Sequence, residues 1–183
     1  MTADPLLDAV EKLINAHGVQ AVGMDRVRAA SGLSLKRIYG LYPNKQRLVA
    51  ATLARRDERW REELAGAVDD APDKVEALFG WLGAWFAEPD FRGCLWVNVH
   101  GELGGDHPEV LAQVRAHKVA FRDQVLGWFA DAGPEIAEEI WLLAEGAIVT
   151  AGITGDVGAA SRAGRAARRL LGGEAAPRRP RSP

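Results

Sequence analysis

The chain has 183 residues, 48% of them hydrophobic and 26% charged, which supplies enough apolar surface for a packed core and excludes a disordered polymer. No run of 18 apolar residues occurs, and the opening MTADPLLDAVEKL carries acids where a leader would carry bases before an apolar block, so a cytoplasmic protein is expected. The net charge of −2 conceals a head of +3 over residues 1–47, a body of −11 over 48–157 and an end of +6 over 158–183; only the head suits a polyanion, and the single cysteine, Cys94, excludes an internal disulfide.

In chain order, Asp4 before Pro5 is a helix start, because the carboxylate caps and proline fits the first helical position. Leu6, Val10, Leu13 and Ile14 then recur at helical spacing as far as Gly18. A short helix of about Met24 to Ala30 presents Val27 and Ala30 for packing, and Gly32 supplies the flexible position after it. With Ser34 as cap, a third helix runs from Leu35 to about Tyr42. It places Leu35, Ile38, Leu41 and Tyr42 on one side, and Lys36, Arg37, Tyr39 and Gly40 on the other. The apolar side must be buried, so the basic side faces out, and Gly40 there lets a large partner approach the backbone.

Pro43 stops this helix and Asn44 caps a fourth, from Lys45 to about Val68. Its middle, RRDERWREEL, is too charged to be wholly buried. It reads as a connector with Asp57 and Arg61, or Arg59 and Glu63, paired one turn apart. Pro72 opens a fifth helix with Val75, Leu78, Phe79, Leu82, Trp85 and Phe86 on an apolar stripe. A short sixth helix spans about Cys94 to Leu103. A seventh starts at Pro108 with Val110, Leu111, Val114, Phe121, Val125, Trp128 and Phe129, and an eighth starts at Pro134 with Ile136, Ile140, Leu143, Ala144, Ala147 and Ile148 inward. A ninth, about Gly158 to Leu171, is rich in Ala and Arg, and residues 172–183 have the composition of a disordered tail. No stretch alternates at period two, so the fold class is all-α with about nine helices.

The segment ASGLSLKRIYGLYPNK resembles the helix-turn-helix signature of TetR-type transcriptional repressors. The shared features are the Ser31-Gly32 turn, the Ser34 cap, Ile38-Tyr39, the aromatic Tyr42, and then Pro43, Asn44 and Lys45. Gly23 departs from a usual Ser or Thr cap, Gly40 from a bulkier residue, and Tyr42 from Phe. The resemblance covers about residues 5 to 60, and RGCLWVN followed by HGEL is more loosely similar to a ligand-domain segment of one subgroup. It implies a three-helix DNA-binding domain over 1–47 and a ligand-binding and dimerisation domain over 48–171. It also implies a homodimer in which helices eight and nine form a four-helix bundle with those of the partner. Small residues at 144, 146, 147, 151 and 152 would let helix eight approach that partner closely.

Lys36 and Arg37, near the start of the third helix, would reach base edges of duplex DNA, while Tyr39 and Lys45 suit phosphates. Arg28 would add a phosphate contact, Ser34 fixes the helix start, and Gly40 leaves room for the groove; a solvated face explains Arg28 and Arg47 equally well. A cavity enclosed by Trp85, Phe86, Trp96, His100 and Trp141, with Glu102 or Glu145 as polar anchor, would take an apolar or cationic effector, since acids populate that region. His100, Glu102, His107 and His117 raise a metal question, but no H-E-x-x-H pattern exists and neither metal nor cofactor is expected. Two functions follow. The first is a repressor released from a pseudo-palindromic operator by a small molecule; the alternative is a small helical enzyme using Cys94, His100 and Glu102. No recognisable spacing of nucleophile, base and orienting group supports the enzyme, and it leaves the basic head unexplained.

Overall fold

The computed structural model describes residues 5–103 and 106–172. In order they form α1 (Pro5–His17), α2 (Met24–Ser31), α3 (Leu35–Leu41), α4 (Lys45–Val68), α5 (Lys74–Phe86), α6 (Leu95–Leu103), α7 (Pro108–Trp128), a 3-10 turn (Ala130–Ala132), α8 (Pro134–Thr154) and α9 (Ala159–Leu171), with no strand among the described residues. The expected tail at 172–183 lies outside them apart from Gly172, whose N–H closes α9 on the Arg168 carbonyl at 2.9 Å. No described helix is long and apolar enough to cross a membrane.

The local signals act as the side-chain chemistry dictates. The Ser34 hydroxyl accepts the Arg37 N–H at 3.2 Å, and the Asn44 side-chain Oδ1 accepts the Arg47 N–H at 2.8 Å, satisfying donors that the first helical turns leave free. Gly32 sits at φ 70°, the left-handed conformation that turns α2 into α3 and that only glycine adopts without strain. The fifth helix is capped by Asp73, which accepts the Glu76 N–H at 2.9 Å, rather than being opened by Pro72.

Ile38 is fully buried and pins α3 against its neighbours; burying such a side chain is worth roughly 1.5 to 3 kcal/mol. Two packing expectations are corrected here. Leu41 remains 45% exposed and Ala30 lies on the surface, because helices of seven and eight residues have only about two turns, and a single buried residue on each fills the contact.

The 24-residue α4 is the spine of the molecule. Its first half buries Leu48, Val49 and Leu53 beside α1, and its second half buries Trp60, Leu64 and Val68 beside α5 and α7. Its charged middle does not simply face solvent. Arg55 bonds Asp8 of α1, Arg56 and Arg59 hold Glu11 at 2.7 and 2.6 Å, and Arg61 pairs with Asp57 at 2.9 Å. Of the two intrahelical pairs foreseen, Asp57 with Arg61 forms, whereas Arg59 hydrogen-bonds across to α1. Beyond α4, α7, α8 and α9 pack in sequence and α9 returns onto α5. Close approach is made possible at one point by paired glycines: a Cβ on Gly152 of α8 would stand 2.7 Å from the Gly93 Cα.

Candidate nucleic-acid interface and effector region

On α3, the buried Ile38 turns Lys36, Arg37, Tyr39 and Gly40 to the exterior together. Tyr39 is 45% exposed, and apart from the adjoining backbone of its own helix no atom lies within 4 Å of the position a Cβ on Gly40 would take. The result is a two-turn helix whose outward face is basic and aromatic with an open centre, and whose start is fixed by Ser34. This shape and charge fit a duplex groove.

The other head residues divide. Arg28 is half-exposed and lies 3.6 Å from Asp25, an ion pair that water weakens and a phosphate can displace. Lys45 is placed otherwise than as a free surface cation. It borders a cavity of about 360 Å³ with Gln20, Glu102, Asp106 and His107, and burial pushes its ammonium below the ordinary value while Glu102 pulls it up. Arg47, exposed on the same first turn of α4, is better presented to a phosphate.

The residues expected to enclose an effector do not surround one space. Trp85 and Phe86 belong to an aromatic cluster with Trp60, Trp81 and Phe91, their ring centroids 4.9 to 5.9 Å apart. Trp96 is 1% exposed and stacks on His117 with centroids 3.6 Å apart and planes 6° from parallel. His100 is exposed on the outer side of α6 beside Val97, Leu111 and Val119. Trp141 is half-buried, and its indole N–H has no hydrogen-bond partner among the described residues. Glu145 binds Lys118 of α7 at 2.6 and 2.8 Å, so its carboxylate is satisfied structurally. Glu102 turns back to the head: its carboxylate accepts the Gln20 backbone N–H at 2.9 Å, and the Gln20 side-chain amide donates to its carbonyl.

That last contact ties the end of α6 to the loop between α1 and α2. Hydrogen bonds to a carboxylate contribute roughly 1.5 to 3 kcal/mol. Glu102→Ala is therefore expected to speed amide exchange at Gln20 by about tenfold while leaving exchange in α7 and α8 unchanged; unchanged exchange at Gln20 would show the tie to be idle.

The most elaborate polar group joins His117, Asp57 and Cys94, which the spacing named only separately and in other combinations. His117 is 2% exposed, donates its Nδ1–H to the Asp57 carboxylate at 2.7 Å and hydrogen-bonds Cys94. Burial by itself lowers an imidazole, but the bonds to Asp57 and Cys94 outweigh it and raise His117 above its ordinary value. Burial likewise would raise Asp57 and Cys94, and the same bonds hold both below their ordinary values, with Arg61 assisting at Asp57. The signal was present: His117 falls in register with the buried Val110, Val114, Phe121 and Val125 of α7. Cys94, His100 and Glu102, by contrast, are not brought together, since Cys94 is buried against His117, His100 faces solvent and Glu102 faces Gln20. Among the described residues no group of three His, Cys, Asp or Glu side chains is arranged to hold a metal ion.

Comparison with known proteins accords with this geometry. Residues 6–52 match the family model described as bacterial regulatory proteins, tetR family. No curated protein matches the chain. A TetR-family transcriptional regulator from Streptomyces coelicolor is similar in structure with a TM-score of 0.81, 24% identity, and 91% of this chain and 92% of that one covered. A TetR-family regulator from Agrobacterium tumefaciens is similar with a TM-score of 0.75 and 20% identity over 91% of this chain and 96% of that one. The reduced form of NemR from Escherichia coli gives 0.78 and 15% over 91% and 95%. The head, residues 6–52, thus matches the tetR family of bacterial regulatory proteins, and the chain shares the fold of these solved regulators over nine-tenths of its length.

Proposed function

We propose that the protein is a cytoplasmic, homodimeric repressor whose two copies of α3 read a pseudo-palindromic operator and which a small molecule releases. The observation that carries the reading is the outward face of α3, where Lys36, Arg37 and Tyr39 surround the open Gly40. In this reading the head is residues 1–47 and the effector-binding and dimerising body 48–171, and no enzymatic step is assigned to it. Lys36 and Arg37 address base edges; Tyr39, Arg28 and Arg47 address phosphates, with Lys45 joining them only if it swings out of the cavity it borders.

Support for the dimer comes from α8. Leu142, Val149 and Ile153 are 55%, 39% and 80% exposed and lie at helical spacing with the uncovered Gly146. An unpartnered apolar stripe of this kind on an otherwise satisfied helix fits a second copy. The outward side of α9 is instead lined by Arg162, Arg165, Arg168 and Arg169, so α8 forms the centre of the proposed interface and α9 its margin. Ala144, Ala147 and Ala151, expected at the seam, are buried within the subunit. Of the small residues named, Gly146 and Gly152 remain at the surface, and Gly152 is already packed on Gly93.

The test is selection of bound sites from random duplexes, followed by challenge of the complexes with a chemically mixed set of small molecules. The reading predicts one enriched site with two-fold symmetry and at least one compound class that dissociates it. No enrichment over the starting pool, or an operator complex indifferent to every compound, would contradict it.

A further inference from the structure

A second cavity, of about 360 Å³, opens between α1, α4, α5 and the turn after α5, and its lining combines two kinds of chemistry. Trp60, Trp81 and Trp85 contribute indole surface; Trp60 meets the other two edge to face at 5.3 and 5.5 Å, so the three are held as a rigid unit. Four carboxylates, those of Glu11, Glu63, Glu88 and Asp90, also line it. The two cations present, Arg56 and Arg59, are both engaged by Glu11 at 2.7 and 2.6 Å. Glu63, Glu88 and Asp90 are thus left facing the space without an ion pair among the described residues. Their crowding is felt at Glu88, whose carboxyl is raised by burial and by the charges of Asp90 and Glu63. A volume of this size lies in the range of small-molecule sites, and indoles beside four carboxylates that outnumber the two arginines attract positive charge through both the ring quadrupoles and the anions.

We propose that this cavity binds a compact organic cation, an aromatic or quaternary ammonium compound, against the indoles of Trp81 and Trp85 with Glu63 and Glu88 as counter-charges. The site also has a route to the DNA-binding head. Glu11 belongs to α1, which packs on α2, and its carboxylate is what the α4 arginines grip. A bound cation competes with Arg56 and Arg59 for Glu11 and so loosens the hold of α4 on α1. This coupling rests on the effector-released reading above; binding at the site does not.

Benzyltrimethylammonium and its neutral isostere neopentylbenzene serve as probes, titrated against the full chain with tryptophan emission and calorimetry as readouts. The cation is expected to quench emission and bind at least about tenfold more tightly than the isostere, and Glu63→Gln and Glu88→Gln are each expected to weaken it by roughly fivefold to tenfold. Both substitutions are at exposed positions, and a thermal melt of each variant confirms that it folds. Trp81→Leu gives an independent check by removing one quenched indole along with part of the affinity. Equal affinity for the two probes, no binding of the cation, or binding unchanged in both glutamine variants would overturn the site. Operator affinity measured with and without saturating cation separates the two readings. Release of the operator by other compounds, with no cation binding here, refutes this site and leaves the effector reading intact; cation binding that the variants abolish, with operator affinity unmoved, sustains the site and counts against coupling through it.

Discussion

The double variant Val149→Glu, Ile153→Glu is expected to remain folded, to be monomeric at micromolar concentration and to lose tight operator binding. Both side chains are exposed in the subunit, at 39% and 80%, so their replacement removes little from the monomer's own core, and surface changes of this type stay within about 0.5 kcal/mol. In a two-fold assembly each substitution appears twice on the same patch, placing four carboxylates where apolar contacts are proposed. Like-charge juxtaposition costs several kcal/mol, which corresponds to roughly a thousandfold in the dimer dissociation constant. Operator affinity falls with it, because each head alone reads one half-site. Sedimentation and operator binding check the two halves of the prediction, and an intact dimer in the variant would place the interface elsewhere. Ala147, buried in the subunit at 4% exposure, is unsuitable for this purpose, since a charged residue there would attack the fold first.

Asp57→Ala is expected to cost about 3 kcal/mol of stability, the penalty of leaving a buried charged partner alone. His117 is held between Trp96 and Asp57 with its side chain 3% exposed, and Arg61 loses the same carboxylate. At fixed protein concentration this lowers the thermal midpoint by roughly 6 to 12 °C. The loss depends on pH with a definite sign. Because His117 is raised above its ordinary 6.5, its contribution is complete below that value and fades as pH climbs through the folded one. Asp57 is depressed below 3.8, so its contribution is present above 3.8 and fades as pH falls through its folded value. The wild-type advantage over the variant is therefore greatest between about pH 4 and 6.5 and shrinks in alkali. A difference in midpoint that grows from pH 6 to pH 9 would mean that His117 is not the partner being protected.

Much of this architecture was legible because it is written in short-range chemistry. Caps at Ser34 and Asn44, prolines at 5, 108 and 134, and apolar stripes such as Val75 to Phe86 act within one or two turns, so a helix and its inward face follow from neighbouring residues. The outward face of α3 was legible for the same reason, since burial of Ile38 fixes the direction of Lys36, Arg37 and Tyr39. The effector region was not, because it depends on which helices meet. Glu102 and Glu145 each looked like a candidate anchor, yet one is taken by Gln20 and the other by Lys118, partners 82 and 27 residues away. The charged run of α4 read as a solvated connector because its counter-charges, Asp8 and Glu11, lie nearly fifty residues earlier. In α8, alternation of small residues could not tell those facing the subunit's own core from Gly146, which faces out.

The central claim, that α3 reads sequence through Arg37, is tested most directly by comparing wild type and Arg37→Ala on the selected operator and on every single-base variant of it, at several salt concentrations. If Arg37 grips a guanine in each half-site, the variant loses roughly 1 to 3 kcal/mol per contact on the operator and becomes indifferent to one symmetry-related pair of base positions, while still discriminating at the others. A uniform loss on all duplexes, with full discrimination kept at every position and the salt slope reduced by about one unit per contact, is the signature of a phosphate anchor and would contradict the account.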